Sequence, residues 1–440
     1  MPRTSIAAHR EVRAGFSNPW PDYAKLPRGP AAVLAALHLS EPRTDALRAL
    51  TDAQWREALE FSDRWQLTLS LRRMARDAMP AWVRERTDGN AGRNLERLAR
   101  LEELYRDLAA TLDAAGIEFL ALKGLAHCPD FGSQKEDRTQ CDVDLFVPRE
   151  GLYAARDAIL ALGYESMDEV EDFPTDHLPP LIRKSGWQWR GDFFDPEIPM
   201  GIELHFQFWN DRVERLAAPD ADGFWKRRVA RRIAGRAMSV LSPADSLAYA
   251  SLHLLKHVLR GNCRPFHVYE VARFLDLHRG DGAFWREWSG QPAELRRLEA
   301  VVFRLATAWF GGARSRSVEE EMERLPRAAQ AWFDEFALSP AGGLYHSHKD
   351  ELWLHLSLLE SRRDAWSVVR RRLLPERLPG PVDAIHIPES EMRWHRRALK
   401  GLRYAAFVAS RLRHHAAALP RVAISGAKWR RRVAMRERDR

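Results

Sequence analysis

The sequence predicts an α+β fold in which a small mixed sheet lies between two helical regions. Three observations lead to this prediction: apolar residues recur at helical spacing over residues 30–115, short β-branched and aromatic runs follow over 116–241, and helical patterns return over 242–374. With 440 residues and 45% apolar content, the chain is long enough for two or three domains. Small disulfide-stapled proteins and disordered proteins are therefore excluded.

The first helical region follows an N-terminal tail, which we assign to residues 1–29, and extends over 30–115. Thr51 is followed three positions later by Gln54, which predicts a capping box at the start of a helix. Pro80 is expected just beyond the end of another helix, because proline cannot continue one. This region is therefore predicted to be a helical domain.

The core of the fold is expected over residues 116–241, where the period of the apolar pattern changes. An amphipathic segment from Arg149 to Leu162 ends at Gly163, which predicts a helix with a glycine C-cap. The segments predicted to be extended are 117–122, 143–147, 187–194, 202–208 and, as a last edge strand, 232–241. A small mixed sheet results.

A second helical domain is predicted over residues 242–374. Ser242 can cap a helix, Pro243 suits the first helical position, and Asp245 complements the helix dipole. Four prolines then fall within residues 375–390, which predicts an extended linker.

The basic charge of the chain is concentrated in its last segment. Residues 391–440 contain 15 Lys/Arg and 3 Asp/Glu, a net charge of +12, whereas the whole chain carries +8. Residues 392–419 are predicted to form one or two basic helices. This tail could engage an anionic partner, either nucleic acid or a membrane surface, and the alternative is a solvated basic helix.

Composition also bears on location. No secretory signal opens the sequence, and no run of about 18 uncharged apolar residues predicts a transmembrane segment. Cys128, Cys141 and Cys263 are scattered without a C-x-x-C pair, so neither a structural zinc site nor a disulfide framework is indicated. We expect a cytoplasmic protein.

The most informative residues are Asp142 and Asp144, which occupy alternate positions of a predicted strand. Residues two apart in a strand project to the same face about 6 to 7 Å apart. Two carboxylates on one face of an apolar strand repel each other, and Mg²⁺ would remove that penalty. The pair therefore predicts a divalent cation site, and a solvated strand end is the alternative.

A third acid is needed to hold a second metal ion, and Glu203 in the run IELHF is the candidate. Glu203 could ligate the metal or accept the proton of an attacking hydroxyl, or it could be an edge-strand acid that pairs with an arginine. His205 shares its face and is a further candidate, with a satisfied core histidine as the alternative.

Three residues near the acids are candidates for binding phosphate. Gly124 allows close backbone approach, and Lys123 and Arg138 can offset phosphate charge. Lys256 is a further candidate that would face phosphate or acceptor.

His253 and His257 have zinc-ligand spacing, but no third ligand is evident in the sequence, so packing is the preferred interpretation.

The run LALKG, an arginine, the run DVDLFV, a Gly-Tyr after a helix and the run IELHF together resemble the uncharacterised nucleotidyltransferases of the DNA polymerase β-type superfamily. The helices on both sides also resemble that family. The resemblance implies a polymerase-β-like core with a small mixed sheet and an Mg²⁺ or Mn²⁺ site. By position the metal-binding acids are Asp142, Asp144 and Glu203, and the phosphate-side glycine is Gly124. Leu125 departs from the small residue usual at the next position.

The resemblance implies transfer of a nucleoside monophosphate from a nucleoside triphosphate (NTP) to a hydroxyl acceptor, with release of pyrophosphate. Two other hypotheses stay open. One takes Asp142 and Asp144 as the metal motif of a nucleotide-sugar glycosyltransferase, which would require a Rossmann-like region before the motif. The other is a degenerate core that acts as a binding or scaffold protein through its basic tail.

Overall fold

The structure of this protein is a computed structural model that describes residues 23–132, 134–167, 176–374 and 393–438. The predicted linker over 375–390 and most of the predicted N-terminal tail lie outside these residues. The α-helices of the described part are α1 (Arg28–Ala36), α2 (Asp45–Arg48), α3 (Asp52–Arg64), α4 (Thr68–Ala75), α5 (Ala81–Ala114), α6 (Leu152–Ala161), α7 (Asp211–Glu214), α8 (Pro243–Leu259), α9 (Pro265–Leu277), α10 (Gly282–Ser289), α11 (Ala293–Phe310), α12 (Arg316–Glu323), α13 (Arg327–Phe336), α14 (Glu351–Leu358), α15 (Arg362–Leu373) and α16 (Trp394–Arg438).

A single mixed sheet contains the described strands. The strands are β1 (Leu120–Ala121), β2 (Asp142–Phe146), β3 (Glu165–Ser166), β4 (Leu181–Ile182), β5 (Gly201–His205), β6 (Val229–Ile233) and β7 (Arg236–Val240). Their order is β3-β4-β5-β2-β1-β7-β6, with β2 parallel to β5 and antiparallel to β1. The predicted mixed sheet between helical regions is confirmed.

The sheet separates two apolar cores. One core lies between the sheet and the helices α5 and α6, and it receives Val143 and Leu145 from β2 and Ile202 and Leu204 from β5. The other core is larger and mostly helical, and it receives Phe146 from the opposite face of β2. Helices that precede the sheet in the chain and helices that follow it both contribute to this larger core. Both groups therefore cover the face of the sheet to which Phe146 belongs. The division of the chain into domains stays a prediction.

Several local predictions are confirmed. Thr51 and Gln54 form a reciprocal capping box at the start of α3. The Ser242 side chain accepts a hydrogen bond from the backbone N–H of Asp245 at the start of α8. Gly163 ends the turn after α6 with a φ of +86°, which glycine adopts without steric penalty.

The predicted strand over 187–194 is wrong. Gly191 has a φ of +86°, which breaks the extended run. The Asp192 side chain accepts a hydrogen bond from the backbone N–H of Phe194 (2.9 Å), and the Phe193 carbonyl accepts one from Arg97 of α5 (2.9 Å). Side chains thus satisfy backbone groups that a strand ladder would otherwise use.

The prediction of one edge strand over 232–241 is also wrong, because the segment turns back on itself. Ala234 and Gly235 have φ values of +49° and +84° and connect β6 to β7 as a hairpin. β7 then lies inside the sheet, where it pairs with β1, and β6 forms the edge. An alternating pattern over ten residues did not distinguish one strand from a tight hairpin.

The basic tail forms a single helix, α16, which is 45 residues long and contains Pro420. The prediction of basic helix over 392–419 is confirmed from Trp394 onward, and the helix continues to Arg438. None of the helices described in the structure has the length and apolarity that crossing a membrane requires.

Candidate active site

The acidic residues come together because β2 and β5 are parallel neighbours in a fixed register. Asp144 pairs with Glu203 across the two strands, and Phe146 pairs with His205. The intervening residues of both strands point into the core beside α5 and α6. By alternation, Asp142, Asp144, Glu203 and His205 share the opposite face of the sheet.

The distances on this face define a compact group of ligand atoms. His205 Nε2 lies 3.0 Å from Asp144 Oδ1 and 3.4 Å from Glu203 Oε2. One ligand atom from each of these three residues lies within 4.8 Å of the other two. Two carboxylates and an imidazole form a donor set that suits Mn²⁺ and, through the oxygens, Mg²⁺. The residues therefore fit a divalent cation.

Glu203 is the member of this group that solvent reaches. Its side chain keeps 25% of its surface exposed, whereas the side chains of Asp144 and His205 keep 3% and 1%. Asp142, at the start of β2, is also only half-buried. A ligand would reach the buried Asp144 past Asp142 and Glu203.

The electrostatics of Asp142 reflect burial and the crowding of like charges. Burial, together with the neighbouring negative charges of Asp144 and Glu203, raises the pKa of Asp142 to about 6. The nearby cations of Lys123 and Arg264 oppose this rise only in part. A bound cation would relieve the repulsion among the three acids.

Asp144 and Glu203 behave differently because each has a cation at hand. Burial opposes ionisation of Asp144, but the Lys123 ammonium and a hydrogen bond from His205 hold the pKa of this carboxyl below its usual value. For Glu203 burial is likewise outweighed by the hydrogen bond from His205 and the charge of Lys123, and its pKa is well below its usual range. Both groups are therefore ionised at neutral pH.

His205 is the reciprocal partner in these interactions. Burial alone would lower its pKa, but the hydrogen bonds to Asp144 and Glu203 outweigh that effect and raise the pKa of His205. The sequence placed His205 on the correct face without deciding between a core and a site role. The structure places it between two carboxylates.

Lys123 follows β1 and reaches the acids directly. Its Nζ lies 2.7 Å from Asp144 Oδ1 and 3.2 Å from His253 Nε2. His253 Nε2 in turn lies 3.1 Å from His257 Nε2 on the next turn of α8. Burial holds the pKa of both histidines well below the usual range, so they are neutral neighbours of the lysine. Neither belongs to the three-ligand group found among the described residues.

Gly124 starts the turn after Lys123 with a φ of +67°. A Cβ at this position would lie 2.2 Å from Gln140 Nε2, and this amide donates a hydrogen bond to the Asp142 carbonyl (2.5 Å). Close approach does require glycine here, and the approaching group in the structure is Gln140. Phosphate binding by this loop stays a prediction.

Arg138 lies behind the site. Its guanidinium is buried and pairs with Glu270 of α9, which also has His267 Nδ1 at 3.4 Å from Oε2. The structure therefore places Arg138 in a buried ion pair, and a phosphate would have to separate that pair to reach it. Its predicted phosphate role stays untested.

Lys256 pairs with a residue that the sequence did not single out. Its Nζ lies 2.6 Å from Asp176 Oδ2, and the Asp176 carbonyl accepts a hydrogen bond from the backbone N–H of Phe206 (3.0 Å). Burial opposes ionisation of Asp176, but the Lys256 ammonium outweighs it, so the pKa of Asp176 is lowered. The pair borders β5 next to His205.

Arg264 is a second residue that sequence reasoning missed. It is exposed at the N-terminus of α9, and its positive charge opposes part of the rise in the pKa of Asp142. The signal was weak, because a single arginine in a short loop between two helices has no pattern around it. The fold brings this loop next to β2.

No curated protein matches the chain. A solved structure described as an antigenic nucleotidyltransferase-like protein from Paracoccidioides brasiliensis is similar at 16% sequence identity and a TM-score of 0.30, over 50% of this chain and 96% of that chain. A family described as uncharacterised nucleotidyltransferase matches residues 51–311, which is more than half of the 440 residues and includes every candidate site residue. The chain belongs to this family of nucleotidyltransferases.

Proposed function

We propose that this protein is an Mg²⁺- or Mn²⁺-dependent nucleotidyltransferase with a polymerase-β-type core. It would move a nucleoside monophosphate from an NTP to a hydroxyl acceptor. The observation that supports this most is the parallel register of β2 and β5, which sets Glu203 beside Asp144 with Asp142 on the same face. Three acids on one face of the sheet, two of them in close contact with His205, suit a metal-bound polyphosphate next to cationic side chains.

Asp142, Asp144 and Glu203 would hold the metal, with His205 as a further donor. When bound, the ion would supply Lewis-acid polarisation of the phosphoryl oxygens and neutralise their charge. The fit rests on the donor set and on the raised pKa of Asp142, which reflects burial together with repulsion among the acids.

The cationic side chains would position the triphosphate. Lys123 now neutralises Asp144, and a metal at Asp144 would free its ammonium to bind a phosphate oxygen. Arg264 is exposed beside Asp142 and can offer a bidentate contact to the same triphosphate. Both contacts would be strongest where negative charge develops on the leaving pyrophosphate.

In the transfer step the acceptor oxygen forms a bond to the α-phosphorus. The bond from that phosphorus to the bridging oxygen breaks, and pyrophosphate leaves with the bonding electron pair. The acceptor proton passes to a carboxylate, for which Glu203 is best placed because it lies on the solvent side of the group.

The test uses purified full-length protein with Mg²⁺ and each of the four NTPs. We expect metal-dependent binding of at least one NTP, and loss of that binding in the variant Asp142→Ala with Asp144→Ala. Asp157→Ala, at an exposed acid on α6, is the matched control and should bind like the wild type. Absence of NTP binding in the wild type, or unchanged binding in the double variant, would sink the proposal.

The degenerate-core alternative has one specific observation in its favour. The Lys123 ammonium already neutralises Asp144, so the acids are compensated without a metal. That alternative predicts no pyrophosphate release with any acceptor, even where NTP binds. The glycosyltransferase alternative loses support, because residues 23–115 of the described chain contain helices and connecting turns but no strand.

A further inference from the structure

The long helix α16 has two halves that differ in their contacts, with Pro420 between them. In the C-terminal half, Trp429 stacks on Trp353 with ring centroids 5.4 Å apart, and Arg436 pairs with Asp334 at 2.6 Å. The half before Pro420 is mostly exposed. The first half is therefore a basic helix that lies largely outside the body of the protein.

One side of this exposed half is apolar. Successive apolar residues on this side are four and three residues apart in turn, and this spacing keeps side chains on one face of a helix. We call them the α16 stripe: Ala398, Leu402, Ala405, Ala409, Leu412, Ala416 and Leu419. All are exposed, including Leu402 at 69% and Leu412 at 54%, and Trp394, one turn before the stripe, is exposed at 81%.

The cations of this half lie on its remaining surface, which also carries the half-buried Tyr404, Phe407 and Val408. From Trp394 to Leu419 the sequence contains six Lys/Arg and no Asp or Glu. These cations are Arg396, Arg397, Lys400, Arg403, Arg411 and Arg413. On a helical projection at 100° per residue they fall outside the α16 stripe, with Arg413 at its margin. An apolar face and a basic face thus share one helix.

The presence of an apolar face and many cations on one helix favours some kinds of partner over others. A second copy of the helix packed along the α16 stripe would set two segments with six Lys/Arg each side by side, with no acid in either segment to offset their repulsion. A nucleic acid would match the charges but leave Leu402 and Leu412 without an apolar partner. An anionic lipid surface offers phosphate or carboxylate groups above an apolar layer, and so matches both faces.

We infer that residues 394–419 of α16 bind in the plane of an anionic lipid membrane. The α16 stripe enters the boundary of the acyl region, and the flanking Lys/Arg contact the headgroups. Trp394 takes the interfacial position that amphipathic aromatic rings favour. This inference does not depend on the proposed catalytic activity.

The experiment is co-sedimentation of the full-length protein with vesicles of phosphatidylcholine alone and with vesicles that contain one fifth phosphatidylserine. We expect binding to the anionic vesicles at least about tenfold stronger than to the neutral ones. Leu402→Ser with Leu412→Ser should weaken binding to anionic vesicles about tenfold or more while leaving every charge in place. Because both leucines are exposed, we expect the variant to stay folded, which its circular dichroism and melting temperature would check.

Ile424→Ser is the matched control, since Ile424 is exposed at 60% on the same helix but lies off the α16 stripe. It should bind vesicles like the wild type, as should Asp142→Ala with Asp144→Ala. The inference is overturned if the wild type does not bind anionic vesicles, or if the double leucine variant binds them equally well. It is also overturned if duplex DNA displaces the vesicles when its phosphate charge equals the charge of the anionic lipid. A dimeric wild type that becomes a monomer in sedimentation on introduction of the double leucine substitution would overturn it as well.

Discussion

Strands β2 and β5 present two faces of opposite character at the same place in the fold. The apolar face carries Val143, Leu145, Ile202 and Leu204, and the polar face carries Asp142, Asp144, Glu203 and His205. The apolar residues are at most 1% exposed and pack on the helices α5 and α6. The polar face lies towards α8, where Lys123 bridges Asp144 and His253.

The apolar face contributes to the stability of the fold, whereas the polar face carries the groups that could take part in chemistry. Apolar residues on both faces would have been the more stabilising choice, because desolvation of a carboxylate costs several kcal/mol unless a partner compensates it. On the polar face, Lys123 and His205 compensate Asp144 and Glu203, but Asp142 keeps its raised pKa. Such a concentration of perturbed groups is typical of functional sites. We therefore expect truncations on the apolar face to lower stability, and loss of a carboxylate on the polar face to lower activity.

Asp144→Asn should have the largest effect, and it should affect activity. Loss of a ligand carboxylate removes about 4 kcal/mol of transition-state stabilisation, which corresponds to roughly a thousandfold decrease in turnover. The measurement is pyrophosphate release under single-turnover conditions, once an acceptor is known, and metal-dependent NTP binding until then. An activity within tenfold of the wild type would show that Asp144 does not serve the reaction.

Leu145→Ala, at the neighbouring residue of the same strand, should lower stability and leave binding of metal and NTP unchanged. Leu145 is 1% exposed in the core beside α5 and α6, and its truncation should lower the free energy of unfolding by about 3 kcal/mol. Urea unfolding at pH 7 measures this change. The folded fraction should bind metal and NTP like the wild type; a loss of binding without a loss of stability would break the comparison between the faces.

Gly124→Ala tests how the polar face is positioned. A φ of +67° and the close approach of the Gln140 amide both oppose a Cβ, so we expect a destabilisation of about 2 kcal/mol. Adding Gln140→Ala should recover part of this loss by relieving the contact, while the cost of the backbone conformation remains. Thermal unfolding of the two single variants and the double variant measures the coupling. Strict additivity would show that the Gln140 contact is unimportant.

Asp142→Asn should have the smallest effect on stability of these variants, and that effect should depend on pH in a distinctive way. The pKa of Asp142 is raised from 3.8 to about 6, so the folded state holds this proton more tightly than the unfolded state. The wild type therefore loses stability as pH rises from about 4 to about 6, and the penalty is complete above that range. The variant lacks this penalty and should be more stable than the wild type by about 1 to 2 kcal/mol at pH 8, but not at pH 4.

Glu299→Gln is the control for that result. Burial raises the pKa of Glu299 to about 8, and its carboxylate accepts a hydrogen bond from Trp288 Nε1 (3.0 Å) in the helical core. This variant should gain stability over the wild type as pH rises from about 4.5 to about 8 and keep that gain above this range, whether or not metal is present. The advantage of Asp142→Asn should shrink when Mg²⁺ is added, because the metal relieves the repulsion in the wild type. An equal response of both variants to Mg²⁺ would contradict a metal site at Asp142.

The sequence predicted the strands that carry the acids because their signals are local. Alternation over 143–147 and 202–208 identified segments close to β2 and β5, and it put Asp142 with Asp144 and Glu203 with His205. The same local signals predicted the capping box of α3 and the start of α8. Patterns of this range depend on neighbours within a few residues, which the sequence shows directly.

The remaining features depend on pairings between distant residues. The register that sets Glu203 beside Asp144 joins positions 59 residues apart, and the Lys123–His253 contact joins positions 130 apart. No periodicity reports such contacts. Asp176 and Arg264 were missed for the same reason, since each acquires its neighbours only when the sheet and α8 are assembled.

The measurement that tests this account most directly is anomalous diffraction from crystals grown with Mn²⁺ and a non-hydrolysable NTP analogue. We predict Mn²⁺ within coordination distance of Asp144 and Glu203, with the analogue's phosphates on the same ion and the Lys123 ammonium turned from Asp144 towards them. An intact Lys123–Asp144 pair with no anomalous signal beside Glu203, in crystals that hold the analogue elsewhere, would contradict it.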